Sequence, residues 1–174
     1  LKEEIMSSGK LVTRAALGCS ADYKNCLKFK DEHNVLYVCG NNVVMYNMDT
    51  KEQSFISGTS NPVMGLGITA IATSHYKKVI ATAEKTTENA IITFYDSLVL
   101  RRKKVINIPE IGSKVIVDMA FSGDGKFFIA QGGAPNYNLC LWNVEKAPKL
   151  LYTFPATDHK DNLTVTGVSF CPFD

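Results

Sequence analysis

Residues 119–146 read MAFSGDGKFFIAQGGAPNYNLCLWNVEK. Apolar residues up to Phe121 run into the turn Ser122-Gly123-Asp124-Gly125, resume from Phe127 to Ala130, cross a polar loop and return as Leu139 to Trp142. Runs of about five to seven residues, rich in Val, Ile, Phe and Tyr, favour strands over helices. Gly, Asn, Asp and Pro between them supply turn chemistry.

Moved along the chain by 48 residues, this stretch finds partners. Ile71-Ala72-Thr73-Ser74 falls on Met119-Ala120-Phe121-Ser122, and Ile91 to Tyr95 falls on Leu139 to Asn143. The same step reaches Val43 to Asn47, so the gapless shift sets Tyr46, Phe94 and Trp142 at one position in three copies. With Phe121 and Asp124 they are the expected structural blade positions. A fourth copy opens at Val168-Ser169-Phe170-Cys171-Pro172. The coarse repeats are 26–56, 68–108, 115–154 and an incomplete 164–174, behind a flexible tail at 1–10.

Four strands per copy, at a period in the forties, predict an all-β partial β-propeller of about three and a half four-stranded blades over 11–174. The inner strands are apolar on both faces, as a blade held between two others requires. The fourth strand is more charged, which suits an outer edge, with Arg101-Arg102-Lys103-Lys104 the extreme case. An immunoglobulin-like sandwich is the structural alternative, but it predicts no 48-residue register.

Composition sets bounds on function. Hydrophobic residues make up 45% and charged residues 21%, which argues against disorder as the main state. A formal charge of +2 gives no case for nucleic acid or an anionic membrane as partner. No run approaches the length of a membrane-spanning helix. The start, LKEEIMSSGK, lacks both a signal-peptide core and an initiator Met, and reads as a segment cut from a longer protein. Cys19, Cys26, Cys39, Cys140 and Cys171 are irregularly spaced and read as reduced intracellular thiols, without zinc-ligand spacing.

Phe121-Ser122-Gly123-Asp124-Gly125-Lys126, followed at strand spacing by Leu141-Trp142-Asn143-Val144, resembles the WD40 repeat. The Asp expected just before the third strand is replaced by Asn136 or Asn138, and in the second copy by Glu88 or Asn89, so the repeats are degenerate. NNVVMYNMDTKEQSFISG, TENAIITFYDSLVLRRKKVI and VDMAFSGDGKFFIAQ further resemble the first blades of the cilia- and flagella-associated protein 57 family. That resemblance covers roughly 15–174. It implies propellers ahead of a long coiled coil, and a non-catalytic scaffold of the ciliary axoneme, within the cytoplasm and cytoskeleton. It implies partners among inner dynein arms and the nexin–dynein regulatory region, while tubulin enters only as an acidic surface for the basic residues Arg101 to Lys104.

Other patterns are weaker. Gly65-Leu66-Gly67-Ile68-Thr69-Ala70 fits a dinucleotide fingerprint but leads into a strand, where the motif has no helix N-terminus to offer. Gly112-Ser113-Lys114 lacks the upstream glycine of a phosphate loop, and Asn162-Leu163-Thr164 is a formal glycosylation acceptor. Arg101, Arg102, Lys103 and Lys104 form a solvated outer strand or a contact for an acidic partner; a nuclear signal or phosphate patch is the alternative. His33, His75 and His159 fall in three different turns, and Asp158-His159-Lys160-Asp161 reads as a polar loop between blades. No catalytic, cofactor-binding or metal-binding set is expected. The rival to a scaffold is an enzyme with its site on the propeller channel. Blade starts reading Thr69, Val115, Ile116 and Thr164 are poor material for it. A nuclear WD40 adaptor is a third reading.

Overall fold

The structure, a computed structural model, describes residues 14–19, 22–58, 66–156 and 165–172. The tail at 1–10, Gly65, His159 and the Asn162 acceptor lie outside them. Among the described residues, twelve strands form three antiparallel four-stranded sheets. The first holds β1 (Leu27–Phe29), β2 (Asn34–Cys39), β3 (Asn42–Asn47) and β4 (Gln53–Ser57). The second holds β5 (Ile68–Ser74), β6 (Val79–Glu84), β7 (Ile91–Asp96) and β8 (Arg102–Asn107). The third holds β9 (Ile116–Phe121), β10 (Phe127–Gly132), β11 (Asn138–Asn143) and β12 (Lys149–Pro155). Within each sheet the strands pair in chain order, so every connection is a hairpin.

The sheets stand side by side with their first strands adjacent: β1 packs by β5, and β5 by β9. The first strands are therefore innermost, and β4, β8 and β12 outermost. This is a set of consecutive propeller blades.

The second sheet is the middle one, buried on both faces. Towards the first it presents Ile68, Ile71, Ile80 and Tyr95, which meet Leu36, Val38, Val43 and Ile56. Towards the third it presents Ala70, Ala72, Ala81, Ala83, Ile92 and Phe94. The third sheet answers those small residues with Met119, Phe128 and Trp142, so large side chains fill the space that alanines leave. Ile68 and Ile71 share a face although three residues apart, because the β5–β6 register shifts between Ile68 and Ala70. Burial of each large apolar side chain stabilises the joint by about 1.5–3 kcal/mol.

The register corrects one equivalence drawn from the gapless shift. Asn47, Asp96 and Asn143 pair with Asn34, Val79 and Phe127, the opening residues of their second strands. The side-chain oxygen of each accepts from the next turn: two backbone N–H groups at Asn47 and at Asp96, and that of Glu145 at Asn143. Counted back from them, Tyr46, Tyr95 and Trp142 are equivalent. Phe94 lies one residue earlier, on the opposite face, against the third sheet. The cause is a hairpin one residue longer between β6 and β7 than between β10 and β11.

The fourth copy expected to open at Val168 is described only as far as Pro172, and residues 165–170 carry no ladder pairing.

Candidate interaction surfaces

Polar side chains on the hairpin turns are engaged in holding those turns. Asp31 accepts from the N–H groups of His33 and Asn34 at 3.0 and 2.8 Å, with Lys30 Nζ 3.2 Å away. Burial works to raise its carboxyl; hydrogen bonds from Asn34 and His33, then Lys30, outweigh that and leave it below its ordinary value. Asp124 accepts from the Lys126 N–H at 2.9 Å and the Ser122 hydroxyl at 2.7 Å. Those bonds, in that order, lower its carboxyl. Gly125 then takes φ 69°, the left-handed turn residue. These carboxylates fix loop shape and are already hydrogen-bonded.

Arg101, Arg102, Lys103 and Lys104 sit where an outer strand should put them. Arg102 opens β8, and all four are exposed. Lys103 Nζ lies 2.9 Å from Asp96, whose carboxyl also accepts from the N–H groups of Leu98 and Val99. Lys103 first, then those two amides, hold Asp96 down to about 2. The strand's charge therefore starts partly anchored to its own sheet. Phe121 and Trp142 lie in the joint between the second and third sheets, the Trp142 ring 5.7 Å from Phe128.

Among the described residues, no three of His, Cys, Asp and Glu gather closely enough to hold a metal ion. His33 Nδ1 meets Asp49 at 2.6 Å and Nε2 meets Glu32 at 3.4 Å, both at the surface. His75 stands in the turn between β5 and β6. Burial pushes the Cys26 thiol up to about 11 and raises Cys140 as well, so both stay protonated and poorly nucleophilic at neutral pH. Among the described residues, no cysteine is in a disulfide.

Asp118 was not singled out from the sequence. It is the one acid in the apolar strand IVDMAF, it is buried, and it joins distant parts of the chain. Its Oδ1 accepts from the Met119 N–H at 2.8 Å. Its Oδ2 accepts from Asn25 Nδ2 at 3.1 Å and from the Val168 N–H at 3.0 Å. A lone carboxylate amid apolar strand residues was a readable signal for such a tie.

The sequence matches no family model. It is 34% identical over 124 residues to cilia- and flagella-associated protein 57 of Mus musculus, covering 70% of this chain and 10% of that protein. Cilia- and flagella-associated protein 57 C of Tetrahymena thermophila is 28% identical over 138 residues, 74% of this chain and 10% of its own length. Cilia- and flagella-associated protein 44 of Mus musculus is 28% identical over 158 residues, 84% of this chain and 8% of its own. The chain thus spans about a tenth of the length of these relatives. Among solved structures, a chain in a crystal structure of the mitotic checkpoint complex superposes with a TM-score of 0.67 at 19% identity, covering 84% of this chain and 44% of that one. The β-propeller domain of Cps50 (Swd1) from Myceliophteria thermophila gives 0.60 at 13%, covering 84% and 42%. At such identities the likeness establishes the fold, a β-propeller of which this chain supplies part.

Proposed function

From the premise that the chain belongs to the cilia- and flagella-associated WD40-repeat proteins, we propose that it is part of a non-catalytic interaction scaffold in the ciliary or flagellar axoneme. One observation carries this reading: the 34% identity to the mouse relative across 70% of the chain. The geometry supports it, because blades held by apolar joints and internally bonded turns offer stiff rims on which a partner can dock. Its docking partners are subunits of inner dynein arms or of the nexin–dynein regulatory region. The basic strand around Arg101 to Lys104 faces an acidic neighbour, such as tubulin.

Exposed charge pairs contribute little singly, about 0–1 kcal/mol each. Anchoring then requires several contacts acting together, supplied by the rest of the protein. The test is fractionation of cilia from cells expressing the tagged full-length protein. Retention on detergent-extracted axonemes is the expected result. Loss into the membrane and matrix fraction, or absence from cilia, overturns the axonemal reading in favour of a WD40 adaptor acting elsewhere.

A further inference from the structure

Between the second and third sheets, beside the outer strand β8, a groove of about 390 Å³ is open to solvent. That size falls within the range of about 300–1,000 Å³ typical of ligand sites. Its floor is apolar: Val79, Phe94, Phe121 and Val144. Its rim carries four lysines from both sheets, Lys77, Lys103, Lys104 and Lys146, against one carboxylate, Glu145. Among the described residues, Lys103 is the only one of the four with an ion pair, to Asp96.

The fold makes this arrangement rather than the local sequence. Phe94 and Lys104 are register partners on β7 and β8, so both side chains leave the sheet on the side facing the third. Lys77 is brought in by the β5–β6 turn, which touches the third sheet closely enough that a Cβ on Gly125 would lie 2.7 Å from the Lys77 side chain. Lys146 comes from the loop between β11 and β12.

We propose that this groove binds an extended acidic peptide carrying one aromatic or large aliphatic side chain. The apolar residue seats on the Phe94–Phe121 floor, where it removes apolar surface from water. The flanking carboxylates meet the lysine rim. Charge complementarity selects the acid, and the floor distinguishes this groove from the bare strand at Arg101 and Arg102. Nucleic acid suits it poorly. Phe94 and Phe121 pack edge to face, 6.2 Å apart, and both lean on Phe128, so neither offers a flat platform for a base.

The test uses the intact protein and a fluorescein-labelled peptide, Glu-Asp-Glu-Glu-Phe-Glu-Glu-Asp-Glu-Gly, read by anisotropy. Binding should weaken as salt rises. The double variant K104E/K146E should bind about tenfold more weakly, and R101E should stay within about twofold of wild type. The milder K104Q/K146Q should fall between them, and thermal melts establish that each variant is folded. Replacing the peptide's Phe by Ala should weaken binding by about fivefold or more. Equal binding of the Ala peptide, equal loss in R101E, or tighter binding of a single-stranded oligonucleotide each overturns the proposal. The axonemal reading is independent of these outcomes, since a protein absent from cilia would still carry the groove.

Discussion

Phe94 of β7 meets Phe128 of β10 edge to face, with ring centroids 5.3 Å apart and planes at 68°. The contact ties the second sheet to the third, and Phe128 extends it to Trp142. Phe128 is fully buried and Trp142 only 3% exposed, so truncating either opens a cavity in the joint. Phe128→Ala and Trp142→Ala should each cost roughly 3–5 kcal/mol. Arg102→Ala, on the exposed strand, should stay within about 0.5 kcal/mol. Urea denaturation midpoints check this; an unchanged midpoint in Trp142→Ala would show that the joint is drawn wrongly.

The twelve strands were legible because turn residues punctuate them. Ser122 to Gly125 and the Asx turns after Asn47, Asp96 and Asn143 are local chemistry, and they bound the apolar runs. The equivalence of Tyr46, Tyr95 and Trp142 was not legible. Tyr95 lies 49 residues after Tyr46 and 47 before Trp142, so a uniform shift matches both ends and misses the middle. A longer hairpin leaves no mark on composition. The groove was hidden for another reason. Lys77, Lys104 and Lys146 are far apart in sequence, and only the packing of two sheets brings them to one rim.

Gly125 couples a turn to a joint between sheets. Its φ is 69°, and a Cβ there would lie 3.0 Å from Ser74 Oγ as well as against the Lys77 side chain. The lysine can swing aside, but the left-handed backbone cannot relax so easily. Gly125→Ala should therefore destabilise by about 1–2 kcal/mol, chiefly through the backbone. Adding Lys77→Ala to Gly125→Ala should recover little of that loss. Full recovery in the double variant would assign the cost to the side-chain contact instead.

Asp96 predicts a feature of the acid limb of stability. Its carboxyl is held down to about 2 in the fold by Lys103, Leu98 and Val99, against about 3.9 when unfolded. A folded value below the unfolded one gives stability that is fully present above the unfolded value and lost as pH falls towards the folded one. Asp96→Asn keeps an acceptor for the turn but removes the charge. Wild type should exceed it at neutral pH, and the gap should close between about pH 5 and about pH 2. High salt should narrow the gap, since the pair is exposed. Parallel midpoint curves over that range would deny the carboxylate its role.

Gln53 holds an early segment of the chain across the outer face of the first sheet. Its Oε1 accepts from the Ala16 N–H at 2.8 Å, and its Nε2 donates to the Ala16 carbonyl at 3.3 Å. Tyr37 adds an O–H bond to the same carbonyl at 2.7 Å. Replacing Gln53 by Leu removes the acceptor of the Ala16 N–H and one of the two donors to its carbonyl, Tyr37 being the other, at a net cost of about 1–2 kcal/mol. The loss should be local: amide exchange at Ala16 should accelerate while β6 and β7 stay protected. Uniform acceleration through all three sheets would mean that the segment is integral to the core.

The outer face of the third sheet predicts an effect that depends on whether another blade covers it. Ala120, Ile129, Leu141 and Tyr152 stand in one cross-strand row, with Leu139 and Phe154 paired beside them. Tyr152 is 66% exposed and Phe154 47%, which is costly to leave open over a continuous apolar row. The solved propellers it resembles run to more than twice the aligned length, and the following pair of substitutions reads whether a further blade covers this face. Tyr152→Glu with Phe154→Glu should therefore change little in the 174-residue chain alone beyond reducing self-association in light scattering. In a protein extended by further blades the same pair would bury unpartnered charge, costing about 3 kcal/mol or more. Equal and small effects in both proteins would mean that no blade packs on this face.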